Sequence, residues 1–466
     1  MNSRARTADS TAKAAALIGK KRGEHKVMLD PDLLEGFALD ESEAEPVMPD
    51  AVVRVENAED IRCVLKTAEE LDVPVTPRAG GTGKSGGAVP VRGGIVMAFS
   101  RMNQLMEIDR ENLLAVVEPG MILKDFQEEV EKAGLFFPPD PASLDSCAIG
   151  GNVAENAGGP RAFKYGVTRE YVLGLDCLLM GGTGFFTGRR TVKGVAGYDV
   201  TALLVGSEGT LAVFSRIILR LIRNPVGIAT LLAEFDTEIS AARAVSAIIS
   251  RGLVPRVLEL IDSACVDTAR REGKMAIPEN TGCLLLIEVD GEEDVIEKEI
   301  ETLADLLEKQ KAVNILAAQD SAQRDRLWTT RRELSELIKR RAVFKIADDV
   351  AVPRAALPDA LEAYRKAGDR YGVEVASFGH AGDGNLHVNV LWNDEALADN
   401  ARKTVDGIMQ ATLDLGGTIT GEHGVGHVKA KYLAMELGPE AAALQKRLKN
   451  TFDPKGLLNP GKLFVP

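Results

Sequence analysis

The segment from Arg78 to Gly94, RAGGTGKSGGAVPVRGG, limits the fold of this chain more than any other stretch. It holds seven glycines and follows VPVTP, a short β-branched run of strand character. GTGKSG contains both the GxGxxG spacing and Gly-Lys-Ser, which point to two familiar nucleotide-binding folds. Neither fits. A dinucleotide fingerprint must open a helix, and Pro90 with the surrounding glycines forbids one here. A P-loop requires glycine five residues before Gly83, and that position is Arg78. What remains is a non-helical loop after a strand. Its N–H groups either converge on a diphosphate or form a plain flexible turn.

A second glycine-rich stretch favours the first alternative. Residues 138–166, PPDPASLDSCAIGGNVAENAGGPRAFKYG, have little periodicity and few charges, unlike a solvated surface loop. Small residues there let backbone approach a ligand, and Ser143, Asn152 and Asn156 supply neutral hydrogen bonds. A long dinucleotide lying between two such loops would use both.

At 466 residues the chain should form two or three domains. Residues 1–45 read as a leader carrying a surface helix, since the apolar run in TAKAAALIGKKRG is too short for a signal peptide. Residues 46–225 alternate helix and strand, with Asn57 as an N-cap ahead of Ile61, Val64, Leu65 and Ala68. Residues 226–450 change rhythm. GIATLLAEF, ISAARAVSAIIS and RVLELI form one β-α-β unit, and CLLLIEV, a helix through Leu303 and Leu307, and AVNILAA form another. The pair suggests a ferredoxin-like sheet with helices on one side. A tail over 451–466 looks like a return to the first domain.

The formal charge of −13, with no basic tract, argues against a nucleic-acid partner. No apolar stretch reaches transmembrane length. Cys63, Cys147, Cys177, Cys265 and Cys283 show no CxxC spacing, so neither disulfides nor an iron–sulfur motif is expected, and a cytoplasmic location is the natural reading.

Histidine is rare and clustered. Of five histidines, four lie between residues 380 and 427. GHAGDGNLHVN sets His380 and His387 at the two ends of a tight loop, and GEHGVGH brings Glu422, His423 and His427 onto another glycine-bounded turn. One histidine alone would read as a buried structural residue. Two histidines and a carboxylate form a common divalent-metal set that leaves positions open for substrate.

Seven segments in order, PRAGGTGKSGGAVP, DPASLDSCAIGGNVAENAGG, KYGVTREYVLGL, GYDVTALLVGSEGTL, GHAGDGNLHVN, GEHGVGHVK and FDPKGLLNPGKLF, resemble the FAD-linked 2-hydroxy-acid dehydrogenases. That family includes the glycolate oxidase catalytic subunit, D-lactate dehydrogenases and D-2-hydroxyglutarate dehydrogenase, within the vanillyl-alcohol oxidase and p-cresol methylhydroxylase superfamily. The resemblance spans about residues 45–466. It implies an α+β protein: a two-subdomain FAD-binding domain of the p-cresol methylhydroxylase type, followed by a ferredoxin-like α/β cap domain. Arg78, Ala79, Gly80, Gly81, Thr82, Gly83, Ser85, Gly86 and Gly87 would hold the FAD diphosphate, with Gly150, Gly151 and Asn152. Pro139, Asp140, Ser143, Asn156 and Gly158 would continue that wall, Glu208, Gly209 and Thr210 would lie near the adenine, and Asn459 would come back towards the flavin. His380, His387 and Glu422 match the family's metal ligands, and His423 its proposed base. Arg331 and Lys345 match positions that bind substrate carboxylate in 2-hydroxyglutarate-type relatives. Two departures stand out: Ala212 where relatives have Gly, and Cys147 where they have Thr.

The implied reaction oxidises lactate, glycolate or 2-hydroxyglutarate to the 2-oxo acid, with a divalent Zn, Mn or Fe ion assisting loss of the hydroxyl proton. The FAD is expected to be non-covalent, because no histidine lies between His25 and His380 to carry a histidyl link. Electrons would pass to an iron–sulfur subunit, an electron-transfer flavoprotein or quinone, and any membrane association would be peripheral, through that partner. Two alternatives remain: a flavin-binding subunit with little activity of its own, and a nucleotide-sugar reductase of the same fold, which has no need of the histidine cluster.

Overall fold

In the computed structural model, which describes residues 3–273 and 276–464, the helix expected after Asn57 spans Ala58–Glu70. The Asn57 side chain accepts the Asp60 N–H at 3.1 Å, and Ile61, Val64, Leu65 and Ala68 form one buried stripe. That stripe packs with a four-stranded sheet whose order is Val27–Met28, Ala51–Arg54, Ile95–Ala98, Val75–Arg78. Its last three strands are parallel. The N-terminal segment joins the same core rather than lying on it as a leader. Its helix, Ser3–Arg22, buries Ala14, Ala15 and Ile18 there, and Arg22 and Lys26 both reach the buried Asp60 at 2.6 Å.

A second, five-stranded antiparallel sheet runs Leu105–Asp109, Leu114–Val117, Val213–Arg220, Val172–Leu178, Gly184–Gly188. The helix Leu123–Lys132 turns Leu123, Phe126 and Val130 into its core. Phe126, Phe137 and Tyr171 meet there edge to face, at 5.2 and 5.6 Å between ring centres. Both sheets belong to one unit, made of the described residues within Met1–Ala157, Val167–Asn224 and Glu422–Pro466. The end of the chain takes part in it: Leu458 bridges to Val75, and the Asn459 N–H donates to the Val75 carbonyl at 2.7 Å.

The second unit, Gly158–Gly166 and Pro225–Gly421, is built on a seven-stranded antiparallel sheet. Its order is Asn314–Ala317, Gly227–Phe235, Cys283–Gly291, Val257–Ile261, Glu374–His380, Asn385–Trp392, Phe344–Ala351. Helices Ser263–Glu272 and Ser321–Arg341 cover one face, where Cys265, Val266, Ala269, Leu334 and Ile338 pack on Ile261, Leu284 and Phe378. The central strands are buried at consecutive positions, so the other face is covered too. The one-sided cover read from the β-α-β pattern gives way because runs such as CLLLI are apolar towards both faces.

The units also divide differently from the sequence reading in two places. Gly158–Gly166 counts with the second unit because Lys164 Nζ and Tyr165 Oη bind the fully buried Asp290 at 2.5 and 2.8 Å. Residues 422–450 count with the first, where Glu208 accepts the Val425 and Gly426 N–H groups at 2.8 and 2.6 Å. Lys449 Nζ donates to the Thr210 carbonyl at 2.7 Å in the same unit. Among the described residues no helix is long and apolar enough to cross a membrane, and all five cysteines are free thiols.

Candidate active site

GHAGDGN closes a β-hairpin: His380 ends one strand, His387 lies in the next, and the two imidazoles meet edge to face at 5.2 Å. Strand pairing sets His387 opposite Phe378 on one side and opposite Asp349 on the other. Asp349 is fully buried and accepts the Gly421 N–H at 2.7 Å and the Thr420 hydroxyl at 3.1 Å. Asn385 occupies the space a side chain at Gly421 would need. The chain pinned there runs directly into Glu422. His380, His387 and Glu422 each offer one ligand atom, and the three atoms lie within 4.8 Å of one another. Two imidazoles and a carboxylate at that spacing fit a divalent first-row cation. His423 follows on the same turn, its Nε2 3.9 Å from Glu422 Oε1.

Glu259 stands beside this cluster. It pairs with His380 across neighbouring strands, and its carboxylate binds His380 Nδ1. Its other oxygen accepts Arg331 Nε at 2.5 Å, and the Arg331 guanidinium lies 4.6 Å above the Phe378 ring. Burial alone would push the Glu259 carboxyl up, but the charges of His380 and Arg331 and their hydrogen bonds hold it far below the usual carboxylate range. An ionised Glu259 is a pure acceptor, which fits a proton on His380 Nδ1 and would leave Nε2 for a metal. Arg331 is thus brought to the cluster. Lys345 pairs with Leu391, four residues along the strand from the Asp349–His387 pair, a backbone separation of roughly 13 Å at strand rise.

In the first unit the two glycine loops meet. A Cβ on Gly80 would stand 2.7 Å from the Ser146 carbonyl and 3.1 Å from Cys147 Cα. Residues 149–155, within the stretch of little periodicity, form a helix that ends at Asn156 in the left-handed conformation, φ 56°. Asn459 joins the loops from the C-terminal tail, donating to the Gly87 and Glu208 carbonyls at 3.0 and 2.8 Å. Two expected cofactor residues are otherwise occupied. The Arg78 guanidinium donates to the Leu39 and Gly36 carbonyls, and the Glu208 carboxylate holds the Val425–Gly426 backbone.

The chain matches two family models, the FAD binding domain over residues 49–187 and the C-terminal domain of FAD linked oxidases over residues 225–463. It is 40% identical over 433 residues to a glycolate oxidase subunit, GlcD, of Bacillus subtilis, covering 92% of each chain. The chain belongs to the FAD-linked oxidase family. It is also 33% identical over 455 residues to a D-lactate dehydrogenase of Anaerostipes hadrus, covering 95% of this chain and 96% of that one. The p-cresol methylhydroxylase structure superposes with a TM-score of 0.80 at 16% identity, over 98% of this chain and 97% of that one, so it shares the fold.

The flavin domain of this oxidase carries an independent sign of a polar ligand. Ser85 Oγ, Asn152 Nδ2, Ser207 Oγ and Asn459 Oδ1 are buried without a hydrogen-bond partner. Buried polar atoms are normally paired, so these atoms fit a group that carries its own donors and acceptors, as FAD does. A Cβ at Gly151 would meet nothing nearer than 3.8 Å, and one at Gly83 nothing nearer than 3.5 Å. No protein contact therefore accounts for glycine at either position. The two departures from the family are absorbed quietly. Ala212 packs in the second sheet's core and keeps an ordinary negative φ, and burial pushes the Cys147 thiol up.

Sequence reasoning missed Glu259, Asp349 and Asn385. The available signal was a carboxylate inside an apolar strand, in VLELI and again in KIADDVA, where burial demands a partner.

Proposed function

We propose that this FAD-linked oxidase oxidises a small D-2-hydroxy acid to the corresponding 2-oxo acid. The cluster of His380, His387 and Glu422 beside His423 carries the reading, because a flavoprotein that reduces a nucleotide sugar has no use for it. The relatives named for glycolate and D-lactate support the substrate class. When bound, FAD supplies the hydride acceptor and a divalent Zn, Mn or Fe ion supplies Lewis acidity.

In this reading Gly80–Gly87 and Gly150–Asn152 hold FAD, with Ser85, Asn152 and Asn459 offering the polar atoms noted above. Pro139, Asp140, Ser143, Asn156 and Gly158 continue that surface, and Gly209 and Thr210 face the adenine. His380 through Nε2, His387 and Glu422 hold the cation. Arg331 presents its Nη edge to the substrate carboxylate, since its Nε is committed to Glu259. His423 takes the hydroxyl proton on its ring nitrogen. Lys345 meets only the far acid group of a longer substrate, given its place along the strand.

Electrons then leave for a separate acceptor: an iron–sulfur subunit, an electron-transfer flavoprotein or quinone. Relatives named as subunits support that step, and they equally support a second reading in which this chain is a flavin-binding subunit with little activity of its own. A panel of D-2-hydroxy acids assayed with an artificial dye decides. Brisk dye reduction with slow oxygen consumption is expected. Hydrogen peroxide forming at the rate of dye reduction would refute the separate acceptor, and no turnover with any acid would leave the subunit reading.

A further inference from the structure

Glu259 has no hydroxy acid or flavin to touch in the reading above, and yet the fold bears a cost to keep it. Its side chain is fully buried, in a strand whose next residue on that face, Ile261, belongs to the hydrophobic core. A buried carboxylate is tolerated only where strong donors compensate for its lost hydration. Glu259 has two, and they come from the two halves of the proposed site: His380 Nδ1 and Arg331 Nε. The contacts close into a ring. Arg331 stacks on Phe378, Phe378 lies 5.4 Å from His387, and His387 meets His380 at 5.2 Å. His380 and Arg331 then both return to Glu259.

We infer that Glu259 is the positioning residue of the site, one carboxylate that sets the metal-binding tautomer of His380 and the aim of the Arg331 clamp together. The inference rests on the metal and substrate roles proposed for those two residues. Its chemistry follows from hydrogen-bond inventory. A carboxylate can only accept, so it requires a proton on His380 Nδ1 and leaves Nε2 as a lone pair for a cation. The second oxygen takes Arg331 through Nε alone, which turns the parallel Nη pair away from Glu259. A glutamine of the same shape cannot do both. If its oxygen keeps Arg331, its amide N–H groups face His380 Nδ1 and favour the tautomer protonated on Nε2, which cannot ligate metal. If its oxygen keeps His380, an N–H faces the Arg331 N–H and the clamp is displaced.

The test is Zn²⁺ binding by the purified flavoprotein, measured by equilibrium dialysis against a chelator buffer, for wild type, His387→Ala and Glu259→Gln. Wild type should bind one Zn²⁺ per chain and His387→Ala should lose it. Glu259→Gln should bind about 10–100-fold more weakly with flavin per chain unchanged, its KM for D-lactate should rise and its kcat fall, and Glu259→Asp should recover part of the loss. Glu259→Gln binding Zn²⁺ as tightly as wild type would overturn the positioning role while leaving the metal site standing. Wild type and His387→Ala binding alike would instead bring down the metal site, and this inference with it. Should the glutamine variant not fold, ¹⁵N-histidine spectra of Zn²⁺-loaded wild type give the answer directly, with only five histidines to assign. His380 protonated at Nδ1 is expected, and protonation at Nε2 contradicts the inference.

Discussion

The two units use opposite means to make a binding surface. In the first, the surface is backbone: two glycine-rich loops lie against each other, small neutral side chains stand between them, and a few buried polar atoms are unpaired. In the second, it rests on ionisable side chains of neighbouring strands, where His380 is held by the buried Glu259. The first design recognises a large ligand through many weak contacts and should degrade gradually. The second depends on single atoms, so one deletion should remove its chemistry without disturbing the other unit's ligand.

That contrast can be broken most directly at His380. Exchanging His380→Ala should lower turnover on the order of a thousand-fold, the several kcal/mol a Lewis acid contributes, while flavin absorbance per chain stays at the wild-type value. Parallel loss of flavin and activity would mean the two surfaces are not separable. Stripping wild type with a chelator should reach the same floor and, unlike the mutation, be reversed by adding Zn²⁺ or Mn²⁺. Activity that survives metal removal would take the cation out of the account.

Arg331→Met should act more moderately. Losing a charge-assisted contact to the substrate carboxylate is worth about 1.5–3 kcal/mol, read as a KM raised about 10–100-fold. A variant with an unchanged KM would show that Arg331 serves only Glu259. The smallest effects belong to the glycine loops, and two alanines sharpen the comparison there. Gly80→Ala drives a Cβ to 2.7 Å from the Ser146 carbonyl, overpacking that costs about 1–3 kcal/mol, so flavin content and thermal stability should fall together. Gly151→Ala meets no protein atom within 3.5 Å and sits in a helix, where alanine is favoured by about 0.5–1 kcal/mol. Stability should hold or rise while FAD affinity drops a few-fold, and an unchanged affinity would remove Gly151 from the flavin surface.

Much of this was legible in the amino-acid order, and the gaps have physical reasons. Period and capping residues announce the helix after Asn57, and the rarity of histidine isolates the cluster at 380–427. The resemblance to the flavin dehydrogenases and the two family matches agree on the domain types. Tertiary pairing is what linear reading could not supply. That Glu259 faces His380 depends on the register of two strands more than a hundred residues apart. That Arg78 is taken by the Leu39 and Gly36 carbonyls depends on where the N-terminal segment packs. The helix over residues 149–155 was hidden because its glycines depress local propensity, and it forms where Gly150 packs against Pro119.

The account stands or falls on whether a D-2-hydroxy acid reduces the flavin at the metal cluster. The direct measurement is anaerobic titration of the flavin spectrum with D-lactate, glycolate and D-2-hydroxyglutarate, on metal-loaded and metal-stripped protein, with L-lactate as control. The account predicts that at least one of the three bleaches the flavin of the loaded protein, that L-lactate does not, and that stripping abolishes the bleaching while FAD remains bound. Bleaching that is indifferent to the metal, or none with any of these acids, would contradict it.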